Sequence, residues 1–141
     1  MRVLPDGPWS VGQGTYDDRP IVVRVNSGAS SLIGDSGLSH RVGVATPLRA
    51  PDIDGLPEAA ESAELNALED ALDAALTQGT EALLLLVITT NGMREFVFHT
   101  SAPAAVADQI GAVRVRFPER IVQFMQEHDP TWDVYRQFSE A

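Results

Sequence analysis

The 141-residue chain contains no cysteine and no lysine. Without cysteine there is no disulfide, no thiol nucleophile and no thiolate zinc site. Without lysine there is no Schiff-base chemistry and no lysine-bearing phosphate loop. Long apolar runs are also missing, so nothing approaches the roughly eighteen residues a membrane span needs. The opening "MRVLPDGPWSVGQG" lacks the apolar stretch of a signal peptide. The expectation is therefore a cytoplasmic protein with no membrane contact. All ten positive residues are arginines, set against twenty acids, for a net charge of −10. Phosphate backbones require clustered positive charge, so this balance argues against nucleic acid as a partner. It suits solubility or a basic protein partner.

What is present suits one domain, residues 1–141, with a hydrophobic fraction of 44%. Residues 1–19 are rich in Gly, Pro and Asp and read as an irregular arm carrying Trp9 and Tyr16. "PIVVRVNSG" predicts a β-branched strand from Ile21 to about Asn26. "GASSLIGDSGLS" reads as a Gly/Ser loop. Its spacing fits no nucleotide fingerprint. "HRVGVATPLRA" predicts a second strand, ended by Pro47 and Pro51.

The clearest helix is "GLPEAAESAELNALEDALDAALTQG". Leu65, Leu68, Leu72 and Leu76 share one face at 3-and-4 spacing. Pro57 suits the first turn and Gly79 the stop. "EALLLLVITTNGMREFVFHT" is a hairpin around Asn91-Gly92, since a type I′ turn needs positive φ at both central positions. A two-residue loop sets Thr90 against Met93, Val87 against Phe96 and Leu85 against Phe98. Alternation then puts Leu83, Leu85, Val87, Arg94, Phe96 and Phe98 on one face. The other face carries Leu84, Leu86, Ile88, Glu95, Val97 and His99.

Leu84, Leu86, Ile88 and Val97 are too apolar to lie in water together. Their cover must be the N-terminal arm, the C-terminal aromatic segment, or another subunit. That face is accordingly the expected surface for a protein partner or a homodimer. A second helix starts at Pro103, with Ser101 as candidate cap and Val106, Ile110 and Val113 as its apolar side. "RIVQFMQE" predicts the last strand. The order, stripped of its extra N-terminal strand and C-terminal helix, is βαββαβ. The expected fold is an α+β, ferredoxin-like sandwich with a mainly antiparallel sheet.

Three segments in order also resemble the bacterial domain-of-unknown-function family six-nine-five. They contain Gly55-Leu56-Pro57, the Leu65-to-Asp70 helix, Asn91-Gly92, and Asp129-Pro130 followed by Trp132 and Tyr135. The resemblance spans roughly residues 16 to 138. The family has no established activity. Some members resemble or adjoin the inhibitor of ribonuclease E, which implies a regulatory binding role by analogy.

Candidate chemistry is sparse. Glu61 and Glu69 lie eight residues apart, about 12 Å along a helix. Glycosidase carboxyl groups are separated by at most about 9.5 Å. The bland reading, a charged helix rim, is preferred. Glu69 needs a partner if it is partly buried, and Arg94 is expected to form a structural ion pair with it. A zinc site from His99, His128 and Asp129 would require distant ligands to converge, and no metal or other cofactor is expected. No G-x-S-x-G elbow occurs. No catalytic residue is assigned.

"HDPTWDVYRQF" at the C-terminus reads as a docked helix. Asp129 caps it, Pro130 starts it, and Trp132, Val134, Tyr135 and Phe138 share one side. The functional alternative makes Trp132 and Tyr135 the wall of a groove with His128 at its rim. The candidate binding residues are thus His128, Asp129, Trp132, Tyr135 and His99. The leading expectation is a non-catalytic protein that binds and regulates a protein partner. The alternative is a small-ligand protein or enzyme with a pocket beside the C-terminal helix.

Overall fold

The computed structural model describes residues 3–140. Six strands form one sheet: β1 (Trp9–Tyr16), β2 (Arg19–Asn26), β3 (His40–Pro47), β4 (Ala82–Thr90), β5 (Met93–Thr100) and β6 (Gln123–His128). Their order is β1-β2-β4-β5-β3-β6, and every neighbouring pair is antiparallel. The helices are α1 (Ala59–Gly79), α2 (Pro103–Arg116) and α3 (Asp133–Ser139), with short 3-10 turns at Ser27–Leu32 and Ser36–Leu38. The class is α+β, as expected. No helix among the described residues is long and apolar enough to cross a membrane.

The sheet separates two cores. On one face, Leu68, Leu72 and Leu76 of α1 and Val106, Ile110 and Val113 of α2 pack on Val42, Val44, Leu84, Val87, Phe96 and Phe98. On the other, Trp132 and Tyr135 pack on Ile21, Val23, Val25, Leu83, Leu85, Leu86 and Val97. The chain therefore covers its own apolar sheet face. Leu86 and Val97 are buried on this second face and Ile88 is half-buried there, whereas Leu84 is buried on the α1/α2 face.

Two expectations about strands are corrected. Residues 9–16 of the presumed arm are a strand, joined to β2 by Asp17 and Asp18, which have φ of 51° and 62°. Asp tolerates the left-handed region that a I′ turn demands, so Asp-Asp substitutes here for the commoner Asn-Gly. In the β4–β5 hairpin, Asn91 and Gly92 take positive φ and pair Thr90 with Met93 as expected. The register then shifts between Leu84 and Leu86, so that Phe98 faces Leu84 rather than Leu85. One extra residue in a strand turns every side chain beyond it to the opposite face. Leu84 thus joins the α1/α2 core, and Leu83 and Leu85 join the second core.

The Gly55-Leu56-Pro57 motif docks on the hairpin tip. Gly92 N–H donates to Gly55 O at 2.9 Å. Gly55 has φ of 80°, and a Cβ there would lie 2.9 Å from Asn91 Cα. Only glycine suits both demands. Asp52 holds the same loop by accepting from the N–H groups of Asp54 and Leu56.

Candidate functional site

Four of the five candidate residues come together, but as core. Trp132 and Tyr135 are fully buried, with rings 5.4 Å apart, edge to face. Trp132 Nε1 donates to Leu38 O at 3.1 Å, and Tyr135 Oη donates to Asn26 O at 2.7 Å. Each ring therefore brings an apolar body and one satisfied polar tip. They seal the second core and do not wall a groove. Their helix begins later than expected, at Asp133. Trp132 takes a left-handed φ of 57° just before it. Asp129 still serves the helix start, because its Oδ1 accepts from Asp133 N–H at 3.1 Å.

His99 lies 4.6 Å from the Trp132 ring and is fully buried. Its Nδ1 is 2.7 Å from Leu38 O. A carbonyl only accepts, so Nδ1 carries the hydrogen. Burial pushes the His99 pKa down, against the upward pull of Leu38 O and Asp129, with Arg41 adding to the depression. His128 stands apart at the end of β6, with its ring 5.1 Å from His40. Among the described residues, no three His, Asp or Glu side chains converge to hold a metal ion.

The carboxylates of α1 also depart from expectation. Glu69 does meet an arginine, but it is Arg24 of β2. Arg94 lies on the same sheet face and donates instead to Thr89 Oγ1 at 2.9 Å. Glu61 is not a rim residue. It is buried and accepts from Arg49 N, Ala50 N and Arg120 Nη2 at 2.7, 3.1 and 2.9 Å. Burial raises its pKa, yet these three donors outweigh burial and hold the carboxyl below its ordinary value.

The open side of the molecule lies at the other edge of the sheet. β6 pairs only with β3, and all six of its residues are exposed. Phe124 and Met125 project to opposite faces of this edge. Arg114 lies 5.8 Å over the Phe124 ring. Met125 borders a shallow depression of about 460 Å³ with Gly43, Ala45, Glu95 and Gln123. Gly43 makes the floor: a Cβ there would fall 2.6 Å from Glu95 Oε2.

Glu95 makes no hydrogen bond or ion pair among the described residues. Its pKa is raised by burial, with Arg41 opposing. A partly buried carboxylate left unpaired is poised for an outside cation. The sequence carries a signal, since Glu95 is the one acid on a predicted strand face that is apolar but for His99. That signal alone does not define the depression, because Gly43 and β6, which complete it, come from distant parts of the chain.

Residues 8–139 match the model of a family described as Family of unknown function (DUF695), and the chain belongs to that family. The match begins at the residue before β1, in keeping with β1 being part of the domain. No curated protein and no solved structure matches the chain.

Proposed function

We propose that this family member acts by binding, with the open edge of β6 accepting an extended segment of a protein partner as an added strand. The observation that carries this reading is an unprotected edge flanked by apolar side chains and an unpaired acid. An edge strand presents unused N–H and C=O groups that template another strand. Natural edges are often blunted by lysine or proline; "QFMQEH" has neither. Ile121, just before the strand, is 62% exposed, and Phe124 and Met125 add apolar surface. β1 is the other open edge, but Gly12 and Gly14 give it little side-chain surface. The partner segment is basic and apolar in character, matching Glu95 and the net charge of −10.

The same reading extends to a regulator or inhibitor in the cytoplasm. Its support is the acidity of the chain and the lack of any assigned catalytic constellation. We further read β3-α1-β4-β5-α2-β6 as a ferredoxin-like unit with the β1-β2 hairpin added at one edge. The sub-order β4-β5-β3-β6 supports this, being the arrangement that places two right-handed crossovers on one face.

The test compares capture from the native host on immobilised wild type and on the Phe124→Glu/Met125→Glu variant. Both positions are exposed, and an unchanged thermal melt verifies that the variant retains its fold. A protein retained by wild type and lost by the variant is expected. Equal recovery on both overturns the assignment. Sedimentation showing a dimer that the variant abolishes would give the edge to a second copy instead.

A further inference from the structure

A cleft of about 310 Å³ lies between α1 and the segment that follows α2. Three of the ten arginines line it: Arg49, Arg116 and Arg120. Two glutamates, Glu64 and Glu119, line it as well. With Glu61, which holds Arg120, three positive groups meet three negative ones, so the cleft is close to neutral on a chain whose net charge is −10.

The arginines differ in how fully they are used. Arg49 pairs with Glu64 and approaches Glu119 at 3.7 Å. Arg120 has a side chain only 4% exposed. Its Nη2 is held by Glu61 at 2.9 Å and Glu64 at 3.4 Å. Its Nη1 is buried and finds no hydrogen-bond partner. Arg116 is exposed and makes no ion pair among the described residues. The cleft therefore contains one fixed guanidinium with an unmet donor and one free guanidinium beside it.

We infer that this cleft binds a small monocarboxylate that carries an apolar group. An arginine fork matches a carboxylate in two-point geometry. A buried donor without an acceptor is costly, and an entering carboxylate oxygen supplies what Arg120 Nη1 lacks. Phe117 and Pro118 line the same cleft and give the apolar part a surface. The charge balance selects the class further. A monoanion meets the weaker repulsion from Glu64 and Glu119, whereas a phosphate dianion is repelled twice as strongly by each. Glu61 acts here as a positioning residue, holding Arg120 and the Arg49 backbone in one arrangement.

The test is a titration of the isotopically labelled full chain with benzoate and, separately, inorganic phosphate at matched ionic strength, followed through backbone amide shifts. Saturable benzoate shifts are expected at Arg116, Phe117, Glu119, Arg120 and Arg49, with phosphate weaker. Arg116→Gln, an exposed change whose fold the same spectrum verifies, is expected to weaken benzoate about tenfold, as for loss of a charge-assisted contact. Three results would each overturn the inference: no saturable benzoate shift, shifts that Arg116→Gln leaves unaltered, or tighter binding of phosphate than of benzoate.

Discussion

His99 and Asp129 face one another in the second core, with Nε2 and Oδ2 3.6 Å apart. Neither atom has a hydrogen-bond partner. Because Nδ1 is committed to Leu38 O, Nε2 is the site at which His99 gains a proton. Arg41 Nε lies 3.8 Å from the same Asp129 oxygen and is also without a hydrogen bond. The carboxylate thus lies between a neutral ring and a permanent cation.

This arrangement fixes the sign of a pH effect. The folded His99 has a lowered pKa, while the unfolded residue titrates near its ordinary value of about 6.5. Below that value the unfolded state binds the extra proton first. Stability from His99 is therefore complete above about pH 6.5 and declines as pH falls toward the folded pKa. Urea denaturation between pH 7.5 and 5.5 should show that decline. His99→Asn, which keeps a donor for Leu38 O but does not titrate, should flatten it. An unaltered slope in the variant would contradict the assignment.

Truncating Trp132 removes a fully buried indole and its bond to Leu38 O. Trp132→Ala is expected to cost about 3–5 kcal/mol, the range for large aromatic truncations. An unchanged urea midpoint would show the ring to be dispensable to the core.

Glu61 and Arg120 form a buried pair, with side chains 7% and 4% exposed. Removing one charge strands the other, so Glu61→Gln should destabilise by about 3–5 kcal/mol. Replacing both together with apolar residues should recover most of that loss, since the desolvation cost of the pair is removed with it. Equal losses in the single and double variants would mean that Glu61 acts chiefly through the backbone of Arg49 and Ala50.

Glu95 gives a prediction with opposite signs for stability and binding. A raised carboxyl pKa means the ionised form is disfavoured in the fold. Its stabilising share is present at low pH and is lost as pH rises through the unfolded and then the folded value. At neutral pH Glu95→Gln should therefore stabilise slightly, by less than about 1 kcal/mol after solvent screening. The same change should weaken partner capture. Gain of stability with loss of binding marks a residue kept for function. Loss of both would mark a structural one.

Much of the fold was legible because local rules agreed with the global outcome. The leucines of α1, the Asn91-Gly92 turn and the apolar side of α2 all act within a few residues of sequence. The misreadings share a physical cause. The bulge at Leu85 has no glycine to mark it, so strict alternation assigned Leu83, Leu84 and Leu85 to the wrong faces. Asp17-Asp18 forms a turn usually written with glycine, which hid β1. Arg94 does lie on the face that Glu69 meets, but strand order, which brings β2 beside β4, makes Arg24 its partner. The aromatic C-terminus was legible as a docked helix because its spacing is local. The depression beside Glu95 was not, because β3, β5 and β6 build it only after folding.

The binding account is tested most directly by deuterium exchange on the complex with the captured partner. The account predicts slowed exchange at the outward-facing amides of Gln123–His128, with protection reaching the Gly43 and Glu95 surroundings. A partner that stays bound while β6 exchanges at its free-protein rate would contradict it.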